Sequence, residues 1–164
     1  SYEIQLSLSA SLDNFILSIT PYYNRVFNYI YPKQINGDTF RWENEKNADF
    51  AGVEAEGNIV LGRNLLKIGA YYPKLNVPIP NTPKPEVIIL ADLNFFNFKF
   101  SPSYRWNREG FHVLNLSLSR SWSFLNLSFG INNLLDQNYV EPTSPRQVPQ
   151  PPRTYFLNAN FILP

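Results

Sequence analysis

Residues Leu125 to Val140 read LNLSFGINNLLDQNYV. Leu125, Leu127, Phe129 and Ile131 alternate with Asn126, Ser128, Gly130 and Asn132, so in an extended strand the two sets point to opposite faces. The alternation then gives way to an Asn-Asn-Leu-Leu-Asp turn, in which Asn133 and Asp136 can hydrogen-bond their own backbone. The fold depends on what each face meets.

The same two-residue period runs outward from this stretch in both directions. Tyr2 to Leu12 and Phe15 to Thr20 flank a tight Asp13-Asn14 turn and read as a hairpin. Ala51, Val53 and Ala55 oppose Gly52, Glu54 and Glu56, and beyond the Gly62-Arg63-Asn64 turn Leu66, Ile68, Ala70 and Tyr72 oppose Lys67, Gly69 and Tyr71. Val87 to Leu93, Phe98 to Trp106, Leu114 to Ser119, the opening stretch and Thr154 to Leu163 bring the expected number of strands to about nine. Tight turns alternate with longer segments, Pro32 to Thr39, Pro73 to Pro85 and Glu141 to Arg153, while Asn107 to Gly110 is shorter. Short turns at one end and long loops at the other are the habit of outer-membrane barrels. No helical period competes, and Pro21 and Pro102 fall where a helix would break.

Composition narrows what such a sheet can do. The chain has 164 residues and reads as one domain. Its 16% of charged residues is low against the roughly 25% usual in soluble domains, and its net charge of +1 leaves no basic stripe for nucleic acid. Without cysteine there is neither a disulfide framework nor a thiolate metal site. Ser1 opens the chain without a basic and apolar leader, which fits a processed chain or a piece of a longer one. The polar faces carry mostly Ser, Asn, Gly, Thr and Gln, a milder mix than the Lys and Glu of solvated sheets. Tyr23, Tyr72, Tyr104, Trp106 and Tyr155 lie near strand ends on the apolar faces, where a membrane barrel places its interfacial aromatics. The expected fold is therefore all-β, an antiparallel up-and-down transmembrane β-barrel. A soluble barrel with apolar faces packed inward is the competing arrangement.

Four stretches, in order, resemble the C-terminal part of the barrel of TonB-dependent outer-membrane receptors. FGINNLLDQNYV is similar to that family's penultimate-strand ending, with Asn132, Asn133, Leu134, Asp136 and Tyr139 in place and Leu135 where Phe is usual. PPRTYFLNANFIL, with Arg153 ahead of the aromatics, resembles the final strand. ADFAGVEAEG carries the Gly52-Val53-Glu54 strand, and SYEIQLSLS resembles the strand that opens on Tyr-Glu. The family usually ends on an aromatic residue, whereas this sequence ends Ile-Leu-Pro.

The resemblance implies that residues 1–164 form a single barrel segment with no plug domain, part of a larger barrel of 22 strands. It implies a place in the bacterial outer membrane and uptake of a scarce ligand such as a metal chelate or vitamin. It implies lipid around the apolar face, and an inner-membrane energy-coupling protein acting through a plug that this chain lacks. Neither catalysis nor a cofactor is implied. The alternatives are a self-standing or partnered small outer-membrane barrel with a structural or pore role, and a soluble β-barrel binding an apolar ligand. On the membrane reading the edges at Tyr2 to Leu12 and Tyr155 to Leu163 need pairing strands, because unpaired backbone is costly in hydrocarbon.

Other features read more plainly. His112, the single histidine, has no cysteine or second histidine beside it and reads as a polar strand-end residue. Glu54 and Glu56 share a face as paired catalytic carboxylates would, and are expected instead to project into a lumen. The sequons at Asn115 and Asn126 lie within strands and read as accidental. EPTSPRQVPQPPR reads as a stiff external connector. An arginine at Leu127 would be costly were that residue near the bilayer midplane, whereas one at Ser128 would face the lumen.

Overall fold

The computed structural model describes residues 1–37, 39–77, 84–108, 110–143 and 146–161, and for 141–143 and 146–148 the backbone alone. One antiparallel sheet dominates it. Its strands are β1 (Tyr2–Gln5), β2 (Leu8–Leu12), β3 (Phe15–Asn36), β4 (Thr39–Leu61), β5 (Asn64–Leu75), β6 (Glu86–Phe95), β7 (Phe98–Asn107), β8 (His112–Ser121), β9 (Leu125–Asn132) and β12 (Thr154–Phe161). Each pairs with its sequence neighbour in up-and-down order, with β1 and β2 both lying along β3. The antiparallel all-β architecture is the one expected. Leu163, expected on the last strand, lies outside the described residues.

β1 and β2 occupy a single position in the sheet. Gln5 pairs with Tyr22 and Leu8 with Ile19, so the register is unbroken and only the ladder is interrupted. Pro21 faces the interruption, and proline has no N–H to give a ladder. Leu6 still donates to the Pro21 carbonyl at 3.2 Å, and Ser7 Oγ meets Thr20 Oγ1 at 3.2 Å. The same device recurs at Pro102. Pairing of β6 with β7 lapses between Leu90↔Ser103 and Leu93↔Phe100, and there Ser101 Oγ donates to Asp92 Oδ1 at 2.7 Å. At Pro21 and Pro102 a hydroxyl group thus stands at the gap, whereas pairing runs unbroken through Pro32 and Pro73.

The segment Pro32 to Thr39, expected as a long loop, is instead the tip of an extended hairpin. β3 and β4 run for 22 and 23 residues, about 70 Å each at the usual rise. Pairing continues in one register from Phe15↔Ile59 to Gln34↔Phe40, with an irregularity before Asn36↔Thr39. β1 reaches only to Arg25 and β5 only to Phe50. Among the described residues no other strand pairs with β3 or β4 beyond that level, although Asn76 continues alongside Asp49, so the two run on as a two-stranded ribbon about 35 Å tall. At its foot Asp49 accepts from Arg25 Nε at 2.6 Å, Tyr23 Oη at 2.6 Å and Asn76 Nδ2 at 3.0 Å. Asn28, at φ 52°, bends the ribbon. Phe27 sits near Tyr2 on the outward face, yet Tyr29 meets Phe50, which shares a face with Gly52, at 5.3 Å. Tyr31, stacked on Tyr29 at 6.3 Å, is only 1% exposed.

The Pro-rich connector also differs from its expected form. It contains a small hairpin, β10 (Val140–Thr143) paired with β11 (Arg146–Pro149). A proline can stand in such a strand where its missing N–H faces away from the partner.

On the polar face two glycines sit beneath aromatic rings from the next strand. A Cβ on Gly52 would lie 2.6 Å from Tyr22 Cζ, and one on Gly130 would strike the Phe156 ring and come within 2.7 Å of the Leu116 carbonyl oxygen. The second contact is with backbone, which cannot step aside. Gly130→Ala is expected to lower stability by about 1–3 kcal/mol through overpacking. Urea titration of the folded protein in detergent measures this, and an unchanged midpoint would mean that Phe156 does not occupy that space.

Candidate functional site: the polar face and the strand-exit clasp

Cα pairing assigns side chains to faces across the whole sheet. Ser18, Thr20, Tyr22, Glu54, Glu56 and Tyr71 share one face, which continues through Lys67, Glu86 and Asp92 to Arg105, Ser103 and Ser101, then Asn115, Ser117, Ser128 and Asn132. The opposite face carries Val53, Ile68, Tyr72, Leu118 and Phe129, each at least 40% exposed. Among the described residues no helix and no second large sheet packs on this apolar face. β6 departs most from clean alternation, since Ile88 and Leu90 pair with Gly69 and Lys67 on the polar face, where Leu65 of β5 and Val113 of β8 also lie.

The polar face is tied together across strands. Arg105 Nε donates to Glu86 Oε2 at 2.7 Å, and Asn107 Nδ2 reaches the same oxygen at 3.4 Å. Lys99 Nζ lies 2.8 Å from Asp92 Oδ2, Asn115 Nδ2 donates to Ser103 Oγ at 3.1 Å, and Tyr22 Oη donates to Tyr71 Oη at 3.0 Å. Glu54 and Glu56 open onto a shallow hollow lined also by Ser18, Thr20 and Tyr71. Asn58 Nδ2 donates to Glu56 at 2.8 Å. Val53 points the other way and is 41% exposed. His112 Nδ1 lies 2.6 Å from Tyr104 Oη. No three His, Asp or Glu side chains gather to hold a metal ion among the described residues.

The motif Asn132 to Tyr139 forms a clasp rather than a local turn alone. Asn133 (φ 52°) and Asp136 (φ 54°) both adopt the left-handed conformation that Asn and Asp tolerate best. Asn133 is 3% exposed. Its Oδ1 accepts from the Gln137 N–H at 3.0 Å, and its Nδ2 donates to the carbonyls of Gln137 at 2.9 Å and Pro151 at 3.3 Å. Its own N–H donates to Asn115 Oδ1 at 2.8 Å, and Leu134 N–H to the Leu114 carbonyl at 2.7 Å. Asp136 Oδ1 reaches across the loop to accept from the Arg153 N–H at 2.8 Å, where a bond to its own turn was expected. Tyr139 packs on Phe111 at 4.8 Å between centroids, and its carbonyl accepts from Gln150 N–H at 3.0 Å. β8, the end of β9 and the start of β12 are thus joined at one point. Gly52, Val53 and Glu54 lie elsewhere, on β4.

A second aromatic belt escapes the sequence reading. The outward face carries Tyr2, Tyr23, Tyr72 and Trp106 toward the loop end, and Phe95, Phe98 and Phe161 toward the turn end. Phe98 and Trp106 are about 26 Å apart along β7. Outer-membrane barrels carry an apolar band about 25 Å tall between two aromatic girdles. The lower belt hides because Phe95 to Phe98 reads simply as a turn.

In the free ribbon, Glu43 is hydrogen-bonded by Arg41 and by Lys33 Nζ at 3.0 Å. These bonds, Arg41's first, hold its carboxyl below the ordinary carboxylate value. The contribution to ribbon stability is therefore present above the ordinary carboxylate range and is lost as pH falls through the depressed value.

An apolar, belted outer face and an ion-paired inner face, repeated over adjacent antiparallel strands, define the wall of a transmembrane β-barrel. The chain belongs to the TonB dependent receptor-like β-barrel family, whose profile matches residues 1–134. Its fold is similar to the copper transporter OprC, with a TM-score of 0.80 at 18% identity over 98% of this chain and 31% of that one. It is also similar to the siderophore receptor PirA from Pseudomonas aeruginosa (0.71, 17%, 98% and 29%) and to the ferric-catecholate import receptor Fiu from E. coli K12 (0.71, 16%, 97% and 27%). The chain thus spans less than a third of each of these proteins. No curated protein matches it in sequence.

Proposed function

We propose that this chain is a barrel portion of an outer-membrane receptor that takes up a scarce ligand such as a metal chelate or vitamin. The carrying observation is the pair of aromatic belts spaced for a bilayer, backed by a face of paired charges and hydroxyls suited to a lumen. Family membership adds the expectation of a plug filling that lumen and of energy coupled from the inner membrane through it. Ile88 and Leu90, apolar on the lumenal face, give such a plug a dry contact. The structurally similar proteins handle copper, a siderophore and a ferric catecholate, which favours a metal-containing cargo. Catalysis has no part in this reading: Glu56, Glu86 and Asp92 serve as partners to Asn58, Arg105 and Lys99, and Glu54 is read as a lumenal polar residue.

Two measurements test it. The protein is expected to aggregate in plain buffer and to become monodisperse in detergent, and monodisperse protein without detergent would exclude the membrane assignment. Deleting the gene should abolish growth on one supplement from a panel of metal chelates and cobalamin, in a manner that requires the energy-coupling protein. Unchanged growth on every supplement would overturn the uptake reading.

A further inference from the structure

The turn end of the sheet carries a cation that the lumenal network does not use. Arg120 pairs with Phe98 and Leu127, which puts it on the outward face inside the lower aromatic belt. Its guanidinium carbon lies 4.9 Å from the Phe98 ring centre and 4.8 Å from that of Trp122. A guanidinium against aromatic rings is held by their electron-rich faces. Such contacts occupy the flat surface of the group and leave its in-plane N–H donors without a partner. Neither Arg120 nor Arg63 has a carboxylate within ion-pair distance among the described residues.

The two arginines line one hollow of about 430 Å³ at the turn-end rim of the sheet, where lumenal Asn94, Lys99 and Ser119 meet outward Phe98 and the turn residues Phe96 and Trp122. Among the described residues lining it, none is Asp or Glu. Lys99 is already paired with Asp92, so the uncommitted positive charge there belongs to Arg63 and Arg120. Phe96, on its rim, is 93% exposed. A planar fork of donors matches the oxygens of a phosphate, and an aromatic collar matches acyl chains attached to it.

We propose that this hollow binds the phosphate of a phospholipid headgroup in the leaflet facing the turn end. Arg120 is the principal donor, Phe98 and Trp122 orient it, and Arg63 supplies the second charge. The proposal rests on the membrane reading above. A free inorganic phosphate shares the recognised chemistry but makes no use of the collar.

The test is native mass spectrometry of the full chain in mild detergent, titrated with phosphatidylglycerol and separately with inorganic phosphate. The wild type is expected to retain one lipid, and Arg120→Gln to bind it about tenfold more weakly, the value of one hydrogen bond to a charged group. Arg120→Lys, which keeps the charge and loses the fork, should fall between. Should Arg120→Gln fail to fold, Arg63→Gln and Trp122→Leu carry the same comparison and are expected to weaken lipid retention severalfold. Equal retention by wild type and variants overturns the proposal, as does phosphate binding without lipid retention. Failure of the membrane reading shows separately. In that case Leu116→Arg on the outward face and Ser117→Arg on the lumenal face would affect folding into lipid vesicles equally.

Discussion

Replacing Asn133 by valine is expected to destabilise the protein by about 3–5 kcal/mol. Valine is strained at a φ of 52°, and its side chain offers nothing to the groups that Asn133 serves. The Gln137 N–H and the Gln137 and Pro151 carbonyls would lose their partner beside a residue that is 3% exposed. An unsatisfied buried polar group costs about 1–3 kcal/mol. Asn133→Gly keeps the backbone conformation while losing the same bonds, so it should fall between wild type and valine and separate strain from hydrogen bonding. Urea titration of detergent-folded protein provides the midpoints. A valine variant within about 1 kcal/mol of wild type would show that the clasp contributes little.

The second large effect concerns which face meets lipid. Leu116 lies midway along β8, between the belts, and pairs with Pro102 and Ile131 on the outward face. Arginine there should cost about 2–4 kcal/mol, whereas arginine at Ser117, on the lumenal face, should cost far less. Folding yield into lipid vesicles against urea concentration gives both values, and equal costs would mean that the faces are assigned wrongly. Leu127 is no place for this experiment. It pairs with Arg120 at the level of the lower belt, where an added arginine costs about 0–1 kcal/mol.

The strands that could be read from sequence are those whose two faces meet different surroundings. β7 and β9 alternate cleanly because one side is apolar and the other carries Ser, Asn and charge, and the middles of β5 and β8 do the same, with exceptions only near their ends at Leu65, Val113 and Arg120. β6 is legible despite its continuous Val87 to Leu90 run, because turns bound it on both sides. The ribbon is hidden in the sequence for the opposite reason. Tyr29 to Lys33 and Arg41 to Lys46 mix charge with aromatics on both faces, since neither face meets lipid, and Pro32 looked like the start of a loop. Pro142 and Pro149 concealed the small hairpin in the same way. Among the motif residues, the turn-forming chemistry of Asn133 was legible, but its burial was not. Burial depends on Pro151, Asn115 and Leu114, which only the folded sheet brings alongside.

The free ribbon also bears on how this protein can change length over evolutionary time. Its register is continuous with the wall, so one residue added to each strand near the tip raises the ribbon by a single rung and leaves every pairing below Arg25 and Asp49 untouched. A residue added to one strand only would shift the ladder by one and turn its side chains to the wrong face unless a bulge absorbed it. Variation in ribbon height should therefore come in matched pairs, and unmatched changes should be confined to the tip, where the register already slips between Gln34 and Asn36.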